Sequence, residues 1–196
     1  MTPQTFIFIG RSGAGKGTQV KLLQDVLKEK DPSGEILYIE TGANFRKFFE
    51  GDKYSNKISR EIYDKGLRQP DFIAIWMWAK ILLEDLKNNE HVILDGIARS
   101  LPEAMTLTTA IEFYDRKVTV VYLNVSRTWS MEKLLSRKRS DDNMVEINER
   151  LDWFERDTLP AIEYFNIHDR YTLLDINGEQ PIEKVHAEII EKLHWQ

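Results

Sequence analysis

Short apolar runs alternate with segments of helical periodicity along the chain. Five such runs, rich in β-branched residues, lie at residues 6–9, 36–39, 91–94, 118–125 and 171–176. After the first run, Val20, Leu23 and Leu27 recur at the spacing of one helix face. Strands separated by helices are expected to run parallel, with right-handed crossovers that bury the sheet on both faces. The pattern therefore predicts an α/β fold with a doubly wound, three-layer core.

A glycine-rich loop joins the first apolar run to the first predicted helix. Its spacing is Gly10-x-x-x-x-Gly15-Lys16, and a hydroxyl follows at Thr18 rather than directly after the lysine. Glycines let backbone N–H groups approach an anion, the helix N-terminus adds a partial positive charge, and the lysine adds a full one. Between a strand and a helix, this spacing predicts a site for nucleotide phosphates. The residues that would line it are Gly13, Ala14, Gly15, Lys16, Gly17 and Thr18.

Composition and charge limit the class of ligand. The 196 residues are 42% apolar and carry a net charge of −5, which is typical of one globular domain and unlike a protein that binds nucleic acid polymers. The densest basic run is only Arg137-Lys138-Arg139, so we expect a small ligand. Because the chain has no cysteine, we expect neither a disulfide nor a cysteine-ligated zinc ion.

The sequence gives no sign of a leader or a membrane segment. The N-terminus lacks a basic region followed by an apolar stretch, and the apolar stretch at residues 72–83 is interrupted by Lys80 and too short to span a bilayer. Together with the absence of cysteine, these features favour a cytoplasmic protein with no membrane partner.

Four blocks of sequence resemble those of the nucleoside monophosphate kinases, and most closely those of the adenylate kinases. The first is the loop itself, because this family also places glycine after the lysine and threonine after that glycine. The others are Thr41-Gly42-x-x-x-Arg46, Asp95-Gly96-x-x-Arg99, and Arg139-Ser140-Asp141-Asp142-Asn143 followed by Arg150. A fainter match, Asn177-Gly178, resembles the adenine-side loop of the family.

The resemblance implies a particular version of the α/β fold. It implies a three-layer α-β-α P-loop kinase fold, in which a five-stranded parallel sheet has the strand order 2-3-1-4-5. Residues 1–196 would form one domain, with a helical insertion at 41–70 that binds the nucleoside monophosphate and a vestigial lid at 137–143. The protein would be a monomer or a small homo-oligomer.

The resemblance also implies an activity and a role for each matching residue. The activity is the reversible transfer of a phosphoryl group from ATP to AMP, giving two ADP, with Mg²⁺ and without zinc. Catalysis would fall to Lys16, Asp95, Arg99, Arg139 and Arg150, and Asp95 would hold the Mg²⁺ through water. ATP would bind the glycine-rich loop together with Arg137 and Gly178. AMP would contact Thr41, Gly42, Arg46, Gly96, Arg99 and Glu103, and the lid-edge residues Asp141 and Asp142 would steady the arginines.

These residue types suit phosphoryl transfer, which depends on alignment and on positive charge around the moving group. The planar fork of arginine matches phosphate oxygens. Each residue also has a plainer interpretation. The arginines could be solvated charges on helix faces, Asp95 could cap the segment that follows it, and Asp141 or Asp142 could cap a helix that begins near Val145.

One departure from the family concerns the acceptor base. A glutamine usually reads this base, but Glu103 stands in its place. An amide can donate and accept, as adenine requires, whereas a carboxylate only accepts, which suits guanine. Ser100 stands where pyrimidine-specific relatives usually have asparagine, which disfavours UMP and CMP. We favour AMP; the alternatives are a GMP or CMP acceptor, or a nucleotide-binding regulatory module without turnover.

Further departures concern magnesium and the lid. Ala43 replaces an acidic residue near the magnesium, which predicts a weaker dependence on Mg²⁺, and Ile97-Ala98 replaces the usual Phe-Pro. The segment at 137–143 is shorter than the lid of short-lid relatives. We therefore expect Arg137 and Arg139 to act from the rim of the core, with weak ATP affinity and stray hydrolysis of ATP, unless another subunit completes the cover.

Overall fold

The computed structural model describes residues 1–137 and 144–195, and of Arg137 it describes the backbone alone. Its sheet has five parallel strands in the order β2-β3-β1-β4-β5. The strands are β1 (Thr5–Gly10), β2 (Ile36–Glu40), β3 (His91–Asp95), β4 (Val118–Asn124) and β5 (Tyr171–Asn177). All five apolar runs form strands, so the α/β fold, its parallel sheet and the strand order 2-3-1-4-5 are confirmed.

Helices cover both faces of the sheet. They are α1 (Lys16–Lys30), α2 (Thr41–Phe49), α3 (Tyr54–Asp64), α4 (Asp71–Asp85), α5 (Leu101–Phe113), α6 (Arg127–Arg137), α7 (Met144–Trp153), α8 (Leu159–Ile167) and α9 (Ile182–Lys192). Residues 41–70 contain α2 and α3, which lie in sequence between β2 and α4. Among the helices in the described ranges, none is long and apolar enough to cross a membrane.

The central strand shows how the two faces are filled. Phe6 and Phe8 point to one side of β1, where they join a buried cluster with side chains of α1 and α9. Ile7 and Ile9 point to the other side, into a cluster with side chains of α4, α5 and α8. Because successive side chains of a strand alternate in direction, a continuous apolar run is what a strand covered on both faces requires.

A π-helical turn, Phe154–Thr158, joins α7 to α8. Pro160, near the start of α8, has no N–H to donate, so the α-helical hydrogen-bond pattern cannot continue through this position. The turn brings the side chains of Phe154 and Thr158 into the protein interior, and both are buried. Single π-helical turns within helices are frequent at functional sites.

The register of the sheet brings several strand ends to one edge. Glu40 of β2 lies opposite Asp95 of β3, which lies opposite Phe8 of β1. On the other side, Asn124 of β4 lies opposite Asn177 of β5. Ligands of open parallel sheets bind outside the carboxyl ends of the strands. The candidate site is therefore at this edge.

Candidate active site

The glycine-rich loop turns directly from β1 into α1. Gly15 precedes the first residue of α1 with a φ of +87°, a left-handed conformation that favours glycine. A Cβ atom on Gly15 would meet no other atom within 4 Å, so this part of the loop opens toward space that a ligand could fill. Gly17 and Thr18 are exposed in the first turn of α1, whereas Ala14, within the loop, is buried. Gly13 packs toward α6, because its Cβ would lie 3.1 Å from the carbonyl oxygen of Ser130.

The side chain of Lys16 folds back over this loop. Its Nζ donates hydrogen bonds to the carbonyl oxygens of Gly10 and Arg11, at 2.9 and 3.1 Å. The charge of the ammonium group also acts on Asp95, where it favours the ionised carboxylate. The loop is thus built around a positive charge at the edge of the sheet.

Asp95 ends β3 and faces the start of α1. Its side chain is buried, and it accepts a hydrogen bond of 3.1 Å from the hydroxyl of Tyr38. The Oδ2 atom lies 4.0 Å from the position that a Cβ on Gly17 would occupy. Burial raises the pKa of Asp95, and Lys16 and the hydrogen bond from Tyr38 act against that rise.

The described residues contain no group of three or more His, Cys, Asp or Glu side chains that could hold a metal ion. Mg²⁺ is commonly bound by only one or two carboxylates together with substrate phosphates and water. A single buried carboxylate next to a phosphate loop therefore fits an ion that arrives with a nucleotide.

Arg99 folds over the glycine that follows Asp95. Its Nε donates to the carbonyl oxygen of Gly96 at 2.6 Å, and a Cβ on Gly96 would lie only 2.6 Å from Nη2. Only glycine leaves room for the guanidinium here. Part of the Arg99 side chain remains exposed to solvent. Partial removal from water lowers the pKa of Arg99, and repulsion from Arg68 and Arg150 acts in the same direction.

Arg150 comes to this site from α7. Its Nε donates to the carbonyl oxygen of Glu146 at 3.2 Å, and the side chain is half-buried. Its electrostatic effect on Arg99 shows that two arginines of separate sequence blocks converge. Lys16, Asp95, Arg99 and Arg150, four of the predicted catalytic residues, thus lie along the same edge of the sheet.

Helix α2 carries three further predicted residues, Thr41 and Gly42 in its first turn and Arg46 in its last. Thr41 is buried, and its Oγ1 has no hydrogen-bond partner within the described residues. Arg46 pairs with Glu40, with 3.0 Å between Nη2 and Oε1, and both side chains are partly exposed. A Cβ on Gly42 would lie 3.3 Å from Nη1 of Arg46. An orphaned hydroxyl and a guanidinium are therefore present where the sequence predicts an acceptor phosphate.

Glu103 lies in the first turn of α5 with a buried side chain. Its Oε1 accepts from the indole Nε1 of Trp78 at 3.2 Å, and its Oε2 accepts from the backbone N–H of Arg99 at 2.8 Å. Burial raises the pKa of Glu103, while the hydrogen bond from the N–H of Arg99 and the positive charges of Arg99 and Arg68 act against that rise. The predicted contact with the acceptor base stays a prediction, but both carboxylate oxygens already have partners in the protein.

The loop after β5 lies beside the end of β4. The N–H of Gly178 donates to the carbonyl oxygen of Asn124 at 2.9 Å, and a Cβ on Gly178 would lie 2.5 Å from Cγ1 of Val125. A cavity of about 370 Å³ adjoins this loop, lined by Asn124, Val125, Ser126, Asp175, Asn177, Glu179 and Glu188. The predicted donor-side loop therefore borders an open pocket.

Four predicted site residues lie wholly or partly outside the part of the chain that the structure describes. Arg139, Asp141 and Asp142 lie outside the described residues, as does the side chain of Arg137. The backbone of Arg137 ends α6.

The sequence analysis missed four side chains around the site. Tyr38 and Glu40 reach Asp95 and Arg46 from β2, and strand order 2-3 was the signal that places the end of β2 beside Asp95. Arg68 acts on both Arg99 and Glu103 from the segment after α3, and no motif marks it. Arg11 donates to the carbonyl oxygen of Val125 at 2.8 Å and lies 4.6 Å from the Phe154 ring centroid.

The fold, the phosphate loop and the converging arginines together define a P-loop phosphotransferase. A family model described as adenylate kinase matches residues 8–170. An adenylate kinase of Prochlorococcus marinus (strain AS9601) is 31% identical over 189 residues, covering 95% of this chain and 97% of that protein. An adenylate kinase of Corynebacterium urealyticum (strain ATCC 43042 / DSM 7109) is 31% identical over 180 residues, covering 91% and 93%. The chain belongs to the adenylate kinase family and is a nucleotide-binding phosphotransferase enzyme.

Proposed function

We propose that this enzyme transfers the terminal phosphoryl group of ATP to AMP, reversibly, to give two ADP. The observation that carries the proposal is the convergence of Lys16, Asp95, Arg99 and Arg150 at the carboxyl edge of the sheet. Relatives that match nearly the whole chain carry the name adenylate kinase, which supports ATP and AMP as the pair of nucleotides.

The ATP phosphates would bind in the loop at residues 13–18. The open space beside Gly15 and the N-terminus of α1 suit an anion, and Lys16 would exchange a carbonyl partner for a phosphate oxygen. The adenine would lie near Gly178, next to the cavity at the ends of β4 and β5. Arg137 would reach the ATP phosphates from the end of α6.

The AMP phosphate would bind between α2 and the loop after β3. Thr41 offers a buried hydroxyl without a partner, and Arg46 offers a guanidinium whose present partner is partly exposed. Gly42 lets this guanidinium approach the backbone, as Gly96 does for Arg99. The helical insertion at residues 41–70 would cover this nucleotide.

Charge neutralisation would come from several directions. Arg99 would lie between the two phosphate sites, Arg150 would approach from α7, and we assign Arg139 to the same task from the short lid, with Asp141 and Asp142 at its edge. Mg²⁺, bound with ATP, would add positive charge at the phosphate oxygens, and Asp95 would hold it through water. Because the protein does little covalent work in this reaction, this arrangement of charge would account for most of the rate.

A panel of acceptors tests the proposal. ADP formation is measured with ATP and Mg²⁺ and with AMP, GMP, CMP or UMP as acceptor, at equal concentrations. We expect AMP to give the highest kcat/KM. Equal or higher turnover with GMP or CMP would make the enzyme a different nucleoside monophosphate kinase, and binding of ATP without turnover of any acceptor would show a regulatory module.

A further inference from the structure

The carboxylate of Glu103 is an anchor for the loop between β3 and α5. It accepts from Nε1 of Trp78 on one oxygen and from the backbone N–H of Arg99 on the other. The Glu103 residue is only 1% exposed. Trp78, which is equally buried, fixes the carboxylate from α4, so the carboxylate can hold the loop in place.

The chemistry of these partners favours a carboxylate. An indole N–H and a backbone N–H can only donate, and a carboxylate can only accept. The amide of a glutamine would turn its NH₂ group toward one of these donors and lose that bond. Arg99 and Arg68 also carry positive charges that favour the ionised form of Glu103, and they oppose the rise in its pKa that burial causes.

The loop has a backbone conformation that needs such an anchor. Ala98 has a φ of +54°, which is uncommon for a residue with a side chain. Proline could not adopt this conformation, because its ring fixes φ near −65°. The departures Ala98 and Glu103, noted separately in the sequence, therefore belong to one arrangement, since Glu103 binds the N–H of the residue directly after Ala98.

The next peptide group is held from its other side as well. Thr158, in the π-helical turn, donates from Oγ1 to the carbonyl oxygen of Arg99 at 3.0 Å. Arg99 therefore donates from its backbone N–H to Glu103 and from Nε to the carbonyl oxygen of Gly96. Its own carbonyl oxygen accepts from Thr158. These three contacts hold the backbone and the inner end of the guanidinium group, while Arg99 stays exposed to solvent.

We propose that Glu103 is a positioning residue, which acts by holding the backbone of Ala98 and Arg99 so that the Arg99 guanidinium meets the transferring phosphoryl group, and which does not read the acceptor base. The proposal rests on the proposed function, because it assigns Arg99 a place in phosphoryl transfer. It follows that the choice of base is made by other groups of the acceptor cleft.

The test compares Glu103→Gln with the parent enzyme in steady-state kinetics. We expect kcat to fall by about 10- to 100-fold, because small misplacements of a charge-stabilising group have effects of this size. The KM for AMP should rise and the KM for ATP stay within about twofold, since the loop lies on the acceptor side. The preference for AMP over GMP should not change. The matched control is Glu112→Gln, an exposed glutamate on the same helix, which should match the parent.

A double-mutant cycle then asks whether Glu103 acts through Arg99. In an Arg99→Ala background, Glu103→Gln should cost less than about twofold further, because the group that it positions is gone. A full additional loss in that background would overturn the proposal. So would a Glu103→Gln enzyme that keeps its kcat while its preference moves between AMP and GMP, which is the behaviour of a base-reading residue.

A crystal structure of Glu103→Gln separates this inference from the proposed function. We expect the loop at residues 96–99 to shift and the Arg99 guanidinium to leave its position over Gly96. An unchanged loop would overturn the inference even if the parent enzyme converts ATP and AMP to ADP. A parent that transfers phosphate to no acceptor would instead overturn the proposed function, while the position of Arg99 in the variant would still decide whether Glu103 holds it.

Discussion

Oε1 of Glu40 lies 3.0 Å from Nη2 of Arg46, the guanidinium that we assign to the acceptor phosphate. The two residues come from the end of β2 and from α2, and neither side chain is buried. A phosphate that enters this site must therefore compete with a carboxylate for the same arginine. The next strand end is linked to this pair, because Tyr38 donates to Asp95 and lies 3.5 Å from the other oxygen of Glu40.

We predict that Glu40→Gln strengthens the binding of AMP. The substitution removes the competing charge, and an exposed pair of this kind contributes at most about 1 kcal/mol, so the KM for AMP should fall by up to about fivefold. The KM for ATP should not change. Steady-state kinetics at varied AMP measures the effect, with Glu50→Gln, an exposed glutamate directly after α2, as control. A higher KM for AMP would mean that Glu40 assists Arg46.

Because Ala98 has a positive φ, glycine and proline at this position should have opposite effects on stability. Ala98→Gly keeps the N–H and relieves the positive φ, so the protein should gain stability, by about 0.5 to 1 kcal/mol. Ala98→Pro removes the N–H and cannot adopt this φ, so both stability and kcat should fall. Urea unfolding and turnover of the two variants are compared directly. Equal stability of the proline and glycine variants would show that the loop does not depend on this conformation.

The hydroxyl of Thr158 should contribute measurably to the free energy of unfolding. Thr158→Val keeps the shape of the side chain and removes the buried hydroxyl that donates to the carbonyl oxygen of Arg99, so we expect a loss of about 0.5 to 1.5 kcal/mol. We also expect a lower kcat, because Arg99 loses one of its three contacts. Chemical unfolding and kinetics are the measurements, and Thr172→Val, at an exposed position of β5, is the control. A Thr158→Val protein as stable as the control variant would contradict this role.

A carboxylate near the acceptor site should change the response to magnesium. Ala43 stands in the first turn of α2, at the position where the family usually has an acidic residue. We predict that Ala43→Asp lowers the Mg²⁺ concentration that gives half-maximal activity, because a second carboxylate can hold water around the ion. Titration of activity with Mg²⁺ at fixed ATP measures this. Superimposable titrations of the parent and the variant would count against the argument.

The sequence predicted the strands and the phosphate loop well for physical reasons. A strand covered on both faces has to be apolar along its whole length, as residues 6–9 and 91–94 are, and this can be read without knowing its neighbours. The turn at Gly15 needs a left-handed residue at a fixed distance from the helix, so spacing alone reveals it. Both features depend on residues that are close in sequence.

The contacts that the sequence did not predict join residues that are far apart in the chain. The burial of Glu103 against Trp78 requires α4 and α5 to pack, and the bond from Thr158 to Arg99 joins residues 59 positions apart. The positive φ of Ala98 has no sequence signal, because alanine is not a residue typical of that conformation. Sequence spacing therefore pointed to residues that lie together at one edge of the sheet, but it did not show which side chains contact Arg99.

The most direct test of the account measures ADP formed from ATP and AMP by the parent and by Lys16→Ala. The Lys16 ammonium lies over the phosphate loop and acts on Asp95, so its loss should lower kcat by about 10²-fold or more. Lys21→Ala, an exposed lysine on the same helix, should match the parent. Two ADP formed for each ATP consumed, with the Lys16→Ala enzyme nearly inactive, is the predicted result. A Lys16→Ala enzyme that is as fast as the parent would contradict the central claim.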